Sequence, residues 1–379
     1  MDNIAGTKSG AVWAVHIAAA LLVILWVLPT FGLFVSSFRT GDQISTSGWW
    51  QALSTQEKQL SPIRVEGVEA ETDGAFVIEG NLFDSEGTKI SRWGTSTKEP
   101  TAYAPGDTAE LADGVKLTVQ ANGAFVLTSP VTTRDTRLPR IFTTAATPPE
   151  FTTNNYTNVL TSPMAGQSIG QAFLNTLTVA IPATIIPILV AAFAAYALAW
   201  MDFPGRALLI AAIVGLLVVP LQLALIPLLQ FHNAIGIGKG YLGIWLAHTG
   251  FGLPLAIYLL RNYMVGLPRD IIENARVDGA TEFQIFVKII LPLSFPALAS
   301  FAIFQFLWTW NDLLVALVFL GTGNDQLVLT GNLVNLMGSR GGDWEILATS
   351  AFVSIFVPLC VFFSMQRFLV RGLLAGSVK

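Results

Sequence analysis

The chain has 379 residues, of which 53% are hydrophobic and only 12% are charged. With a mean hydropathy of +0.59, this composition excludes an ordinary soluble globular protein and predicts a polytopic membrane protein. The net charge is -4 and the sequence contains no basic stripe, which excludes a nucleic-acid partner. The single cysteine, Cys360, excludes an internal disulfide. Three histidines and one cysteine give no metal-ligand spacing, so no metal site is expected.

The first apolar segment covers residues 13–34. Its length is close to the roughly 20 residues that a helix needs to cross a bilayer. A cleaved signal peptide is the alternative, but the segment is longer than a typical signal-peptide core and no clear small-residue cleavage site follows it. We therefore predict that residues 1–40 form an N-terminal segment with an uncleaved first transmembrane helix.

Residues 41–168 are polar, rich in Thr, Gly, Asp and Glu, and contain no apolar segment long enough to span a membrane. Within them, 75–83 and 115–127 have the composition of short strands bounded by Gly, Asp and Asn turns. We predict a β-rich insert domain. It contains no His or Cys, and its Ser and Thr residues lack a base partner, so a membrane-anchored enzyme is not indicated.

Five more apolar segments follow, at 172–199, 207–230, 240–260, 298–320 and 346–368. The fold class expected is therefore an all-α polytopic membrane protein with six transmembrane helices and a β-rich insert between the first two. Lys and Arg in short connections favour the side that holds both termini, which the positive-inside rule assigns to the cytoplasm. The insert then lies in the periplasm, and the permease core, 169–379, includes a cytoplasmic loop at 262–296.

The most informative stretch lies in that loop. Asp270 and Glu273, and again Thr281 and Gln284, have the spacing of a helix N-cap and its returning side chain. With Gly279 between the pairs, the sequence predicts a helix, a glycine turn and a second helix. One packed face and one polar face are predicted by residues that recur at steps of three and four, namely Ile272, Arg276, Gly279, Phe283, Phe286 and Ile290. A docking element fits this pattern, and an ordinary capped surface helix is the alternative.

This stretch resembles the "EAA" loop of permease subunits of binding-protein-dependent ABC importers, in which Glu-Ala-Ala and Asp-Gly-Ala precede a hydrophobic helix closing in Leu-Pro. The resemblance implies a non-catalytic transport subunit whose loop fits a cleft in an ATP-binding subunit. ATP and Mg are then bound by the partner subunits, and this chain contains no phosphate-binding loop of its own. The residues implied in coupling are Glu273, Ala275, Asp278, Gly279, Ala280, Phe286, Leu291 and Pro292.

The C-terminal tail, 366–379, resembles that of the maltose-type permease subunit that enters the ATPase dimer. This implies ATPase contacts at Gln366, Arg367, Gly372 and Gly376, with a frayed basic terminus as the alternative. The insert after the first span is similar to that of the α-glucoside permease subgroup. The implied partners are a second permease subunit, a dimer of ATP-binding subunits, a periplasmic sugar-binding protein and the bilayer of the bacterial inner membrane.

Other solutes remain alternatives to a sugar. A secondary transporter or channel is disfavoured because the spans lack a convincing set of acidic or His relays. For the insert, we expect a binding or clamping contact with the solute-binding protein or the second permease, with an inert spacer as the alternative.

A polar group interrupts the predicted fifth span at Trp308, Trp310, Asn311 and Asp312. An ionised carboxylate near the bilayer centre costs about 2.5–3.5 kcal/mol on insertion scales. Either Asp312 faces the pathway or a partner, with the two tryptophans offering surfaces on which sugars stack, or the span starts later than drawn and Asp312 lies near an interface.

Overall fold

A computed structural model describes residues 10–72, 74–83, 89–132, 138–147, 149–162, 168–321, 323, 325–339 and 342–374. The chain divides into two compact units. The first comprises Met1–Ser37 and Thr153–Lys379, and the second comprises Phe38–Thr152. The first unit begins with helix α1, Gly10–Ser36. In the most apolar part of α1, no residue is buried by the rest of the chain. This exposure is expected of a helix that faces lipid or a partner subunit.

The second unit is β-rich. It begins with helix α2, Gly41–Thr46, and a single 3-10 turn, Trp49–Gln51. The strands that follow in the described residues are β1 Gln56–Gln59, β2 Ile63–Arg64, β3 Glu69–Thr72, β4 Ala75–Asn81, β5 Lys89–Gly94, β6 Thr108–Glu110, β7 Lys116–Val119, β8 Ala124–Ser129 and β9 Arg140–Thr147. The predicted strand segments are confirmed, because 75–83 contains β4 and 115–127 contains β7 and most of β8.

These strands form two antiparallel sheets. One has the order β1-β9-β2, with β5 also paired to β9, and the other has the order β3-β4-β8-β7-β6. Side chains alternate between a buried and an exposed face along β8 and β7, as expected for a sheet with one covered face. The buried faces supply the core of this unit, in which Trp93, Leu117, Leu127 and Ile141 are fully buried.

The helices of the first unit continue with α3 Asn154–Thr161, α4 Ile169–Trp200, α5 Arg206–Leu216, α6 Leu221–Ala234, α7 Tyr241–Val265, α8 Arg269–Val277, α9 Glu282–Ile285, a π-helical turn Phe286–Ile290, α10 Leu291–Trp310, α11 Leu314–Phe319, α12 Leu329–Ser339 and α13 Trp344–Leu374. Helix α3 falls within the range that the sequence analysis gives to the insert. In the structure it belongs to the helical unit, because Val159 is buried in a cluster with Ile169 and Ile346.

Five helices among the described residues are long and apolar enough to cross a membrane: Gly10–Ser36, Ile169–Trp200, Tyr241–Val265, Glu282–Trp310 and Trp344–Phe368. The predicted span 207–230 is not one straight helix. It consists of α5 and α6, which are bent by 110° relative to each other. Pro220 causes the break, because it cannot donate a helical hydrogen bond and disfavours the helical conformation of the residue before it.

The predicted span 298–320 is displaced in the structure. The helical segment begins at Glu282 and ends at Trp310, and α11 is a separate short helix. Helix α7 ends at Val265 and the next spanning helix begins at Glu282, so the connection between them covers residues 266–281 and is shorter than the predicted loop 262–296. The second helix predicted after Gly279 runs without a break through the π turn into α10, and Pro292 is tolerated near the start of α10.

Candidate functional site

The connection between α7 and α10 is a short helix, a glycine turn and a second short helix. Helix α8 ends in a Schellman turn, in which the amide of Gly279 donates to the carbonyl of Arg276 and the amide of Ala280 donates to the carbonyl of Ala275, both at 3.0 Å. Gly279 has a φ of +82°, a left-handed backbone conformation that residues other than Gly and Asn rarely adopt. The predicted arrangement of helix, glycine turn and helix is confirmed.

The two predicted N-caps differ in outcome. The Thr281 hydroxyl accepts from the amide of Gln284 at 3.3 Å, and the Gln284 side chain accepts from the amide of Thr281 at 2.9 Å, which completes the predicted capping box. The predicted Asp270–Glu273 cap is wrong. Pro268 occupies the N-cap position with an extended backbone, so Asp270 falls inside the first turn of α8 and makes no side-chain cap.

One face of the connection is anchored in the helical core. Ile272 of α8 is 1% exposed and Phe286 is 2% exposed. The ring of Phe286 lies 5.2 Å from that of Tyr196 and 4.6 Å from that of Phe193, both in α4. A buried apolar side chain on each side of Gly279 therefore holds the connection against the long helices.

The opposite face is open. Val277 is 86% exposed and Phe283 is 65% exposed, and neither was indicated as a site residue by the sequence. The three- and four-residue steps place Phe283 on the packed face, and that prediction is wrong because the turn at Gly279 changes the helical phase. Exposed apolar side chains in a polar segment are typical of a contact surface. Of the predicted coupling residues, Glu273, Asp278, Gly279 and Pro292 are exposed, Ala275, Ala280 and Leu291 are half-buried, and Phe286 is buried.

A polar network joins this connection to α4. Arg276 Nε donates to Glu282 Oε1 at 2.9 Å, and the Tyr196 hydroxyl donates to the other oxygen of the same carboxylate. Arg276 Nη2 also donates to the carbonyl of Trp200, at the end of α4, at 3.5 Å. The hydrogen bond to Glu282 raises the pKa of the Arg276 guanidinium. Spacing along the chain did not indicate this network, because α5 to α7 separate Tyr196 from its partners.

The residues predicted at the C-terminal tail lie in or beyond α13. Gln366, Arg367 and Gly372 are helical, and Gly376 lies outside the described residues. The Gln366 side chain donates to the carbonyl of Phe363 at 3.3 Å. The guanidinium of Arg367 lies 4.6 Å from the centre of the Phe368 ring. These contacts are local to α13.

The two tryptophans near the end of α10 differ in burial. Trp310 is 1% exposed, its ring packs against Phe173 and Phe306, and its indole N–H donates to the carbonyl of Ser354 at 2.9 Å. It therefore offers no open face on which a sugar can stack, and sugar stacking was one of the two alternatives left open by the sequence. Trp308 is 39% exposed and lines an apolar cavity of about 440 Å³ between α7 and the α5–α6 bend.

Asp312 lies in the break between α10 and α11, outside the spanning helix in which the sequence analysis places it. One carboxylate oxygen accepts from the amide of Ala316 at 3.1 Å and lies 3.8 Å from Nε2 of the buried His248. Neighbouring Asn311 is exposed. The alternative drawn from the sequence places the start of the span later, whereas the helix in the structure begins earlier, at Glu282, and ends at Trp310, before Asp312.

The segment that contains this site also carries the sequence match. Residues 171–374 match the family described as "Binding-protein-dependent transport system inner membrane component". The chain is 64% identical to the alpha-glucoside transport system permease protein AglG of Rhizobium meliloti, over 98% of each chain. The chain belongs to this family. It is a multi-pass inner-membrane permease subunit of an ABC importer, a transport subunit and not an enzyme.

Other family members carry the names of different solutes. The osmoprotective compounds uptake permease protein GgtD of Synechocystis is 60% identical over 61% of this chain and 76% of its own length. The trehalose transport system permease protein SugB of Mycobacterium tuberculosis is 35% identical over 61% of this chain and 84% of its own. A crystal structure of a bacterial ABC transporter involved in the import of alginate aligns with a TM-score of 0.49 and 21% identity, over 59% of this chain and 81% of its own. Family membership fixes the transport role, but the names of GgtD and SugB refer to different solutes, so the solute requires its own argument.

Proposed function

We propose that this permease forms, with a second permease subunit, the translocation pathway of an ATP-driven α-glucoside importer. The near full-length identity of 64% to an α-glucoside permease supports this solute class. A periplasmic sugar-binding protein delivers the solute. The solute is tested by uptake of labelled maltose, an α-glucoside, in cells that express the transporter. Competition by unlabelled trehalose or sucrose, both α-glucosides, supports the proposal, whereas equal competition by cellobiose, a β-glucoside, contradicts it.

The proposed topology has six spans, with the bent pair α5–α6 acting as one span beside the five long helices. An even number of spans places both termini on one side, which the distribution of Lys and Arg assigns to the cytoplasm. The connection 266–281 then faces the cytoplasm, and the β-rich insert faces the periplasm, where we propose that it clamps the binding protein or the second permease.

The topology is tested with single cysteines in a Cys360→Ala background. Glu79 of β4 and Lys239 are both exposed, and both fall on the proposed outer side. We expect Glu79→Cys and Lys239→Cys to react with a membrane-impermeant maleimide added to spheroplasts, whereas Ala280→Cys should react only after lysis. Labelling of Ala280→Cys from outside would contradict the proposed orientation.

The observation that carries the coupling proposal is the two-faced connection at Gly279. Ile272 and Phe286 anchor one face in the core, and Val277 and Phe283 expose apolar surface on the other. We propose that a dimer of ATP-binding subunits, which hold the ATP and Mg, covers the open face through Glu273, Ala275, Asp278, Gly279, Ala280, Leu291 and Pro292. The C-terminal residues Gln366, Arg367, Gly372 and Gly376 contact the same dimer, and Trp308 faces the second permease.

The coupling contact is tested by cysteine crosslinking in the assembled transporter, again without Cys360. We expect Ala280→Cys to crosslink to a cysteine in the cleft of the ATP-binding subunit, with a yield that changes when ATP is added. Lys239→Cys, exposed on the proposed opposite side of the membrane, is the matched control and should give no crosslink. Equal yields from the two positions, or no crosslink from Ala280→Cys in a complex shown to be assembled, would contradict the docking role.

A further inference from the structure

Helix α8 is attached to the rest of the protein by few apolar contacts. Ile272 is its one fully buried side chain, and Ala275 contributes partly buried surface to the same cluster. Apolar contacts have no directional preference, so they resist withdrawal of a helix more than its rotation or sliding. The turn at Gly279 adds a point at which the backbone bends easily. The register between α8 and the long helices therefore requires contacts that are directional.

The Arg276–Glu282–Tyr196 network supplies such contacts. Its members come from the last turn of α8, the first residue of α9 and the interior of α4. The Glu282 carboxylate accepts from Arg276 on one oxygen and from Tyr196 on the other. Because hydrogen bonds to a charged group are short and directional, this carboxylate fixes two donors relative to each other across the glycine turn.

We propose that Arg276, Glu282 and Tyr196 are positioning residues that hold α8 in register with α4 during the transport cycle. When the ATP-binding subunits displace α8, the network transmits the displacement to α4 and prevents the Gly279 turn from absorbing it. This inference rests on the proposed coupling role of α8. The network joins α8 and α9, which carry the proposed docking surface, to α4 through hydrogen bonds that can transmit a displacement.

The position of the network indicates a role in transmission more than in stability. The side chains of Arg276 and Glu282 are 41% and 43% exposed, and ion pairs with that much exposure contribute little to folding. Tyr196, in contrast, is 5% exposed and belongs to the core cluster. Helix α4 in turn packs along α7 and α10. The network therefore connects an exposed docking element to the helix from which movement can spread through the bundle.

The test uses Tyr196→Phe and Glu282→Gln in the complete transporter, reconstituted into proteoliposomes with its binding protein, ATP and labelled maltose. Tyr196→Phe keeps the packing against Phe286 and removes only the hydroxyl. The matched control is Tyr263→Phe, which removes a hydroxyl that donates to the carbonyl of Leu293 at 3.2 Å, outside the network. We expect both test variants to raise the ATP hydrolysed per maltose transported by about fivefold or more. The control should match the wild type.

Two further readouts separate transmission from a structural role. The midpoint of thermal unfolding and the Ala280→Cys crosslink to the ATP-binding subunit should be unchanged in both test variants. An unchanged ratio of ATP to maltose in both variants would overturn the inference and leave the proposed function intact. Loss of the crosslink would also overturn it, because the network would then only shape the docking surface. A wild-type complex that hydrolyses ATP without any uptake would overturn the proposed function and, with it, this inference.

Discussion

The side-chain amide of Gln305 donates a hydrogen bond of 3.0 Å to the carbonyl of Ala183. Ala183 lies four residues before Pro187, whose missing N–H leaves that carbonyl without its helical partner. Gln305 is 1% exposed, and Gly252 provides its space, since a Cβ there would lie 2.7 Å from the Gln305 side-chain oxygen. A proline in α4 is thus compensated by a polar side chain of α10 that fits against a glycine of α7.

Two other prolines are compensated in the same way. The indole N–H of Trp245 donates at 2.9 Å to the carbonyl of Thr178, four residues before Pro182. The indole N–H of Trp310 donates at 2.9 Å to the carbonyl of Ser354, four residues before Pro358. Inside a bilayer no water satisfies such carbonyls, so neighbouring helices must do so. These contacts tie pairs of long helices together at the positions where each proline interrupts the backbone ladder.

Replacement of Gln305 by Leu should destabilise the protein. Leu fills a similar volume but leaves the carbonyl of Ala183 unsatisfied, at a cost of about 1 kcal/mol for an interhelical hydrogen bond in a membrane protein. The measurement is the midpoint of thermal unfolding of the purified protein in detergent. Gln230→Leu, at an exposed position of α6, is the control. Equal midpoints for the two variants would contradict the compensating role of Gln305.

Replacement of Gly252 by Ala should also lower the thermal midpoint, because the added Cβ displaces the Gln305 side chain from its site. The control is Gly250→Ala in the same helix, where a Cβ meets nothing within 4 Å. In a Gln305→Ala background, Gly252→Ala should cost far less, since the clash is removed. Additive effects of the two substitutions would show that Gly252 acts independently of Gln305.

The sequence predicts parts of the site that depend on neighbours along the chain. The capping box at Thr281 and the glycine turn at Gly279 were both predicted, because a cap and a turn are specified by residues a few positions apart. Phe283 was assigned to the wrong face, because periodicity assumes one continuous helix. The role of Trp310 was missed for another reason. Its partner carbonyl at Ser354 is brought close only by the packing of α10 on α13.

The same distinction holds for the fold. Apolar length predicted the existence of most spans, since about 20 apolar residues suffice to identify one. It did not predict the bend between α5 and α6, nor the end of α10 at Trp310, because both depend on how local breaks are accommodated by tertiary packing. The β-rich character of the insert followed from its composition, whereas the pairing of β9 with β1, β2 and β5 joins strands far apart in sequence.

Substitution of Gly279 should affect transport according to backbone conformation rather than size. Its φ of +82° costs a side chain with a Cβ about 1 kcal/mol or more, although a Cβ there would meet nothing within 4 Å. We expect Gly279→Leu to impair ATP-driven uptake, whereas Gly279→Asn, which tolerates the left-handed conformation, should retain most of it. Insertion of both variants into the membrane is checked by protein level. Equal impairment by Asn and Leu would indicate a steric cause instead.

Removal of the capping box should loosen the start of α9. Thr281→Ala deletes the side-chain acceptor for the amide of Gln284, at a cost of about 1 kcal/mol to the local helix. Hydrogen exchange at residues 282–285, followed by mass spectrometry, should become faster. Asp270→Ala is the matched control, because Asp270 lies in the first turn of α8 and makes no cap. Faster exchange at 282–285 in the control as well would contradict the separate capping of the two helices.

Trp310 and Trp308 should respond differently to replacement by Phe. Trp310→Phe leaves the buried carbonyl of Ser354 without its donor and leaves a cavity, so we expect a loss of about 1 kcal/mol or more in stability. Trp308, 39% exposed at an apolar cavity, has no such backbone contact among the described residues, so Trp308→Phe should leave the thermal midpoint nearly unchanged.

Two measurements separate the role of Trp310 in stability from that of Trp308 in assembly. One is the thermal midpoint of the isolated subunit, and the other is the yield of its complex with the second permease. Trp310→Phe should lower the midpoint of the subunit itself. Trp308→Phe should act on assembly, because the exposed indole is proposed to face the partner. Reduced uptake by Trp310→Phe at full stability and full assembly would instead show that the buried indole does more than stabilise the fold, because neither unfolding nor failed assembly would then explain the loss.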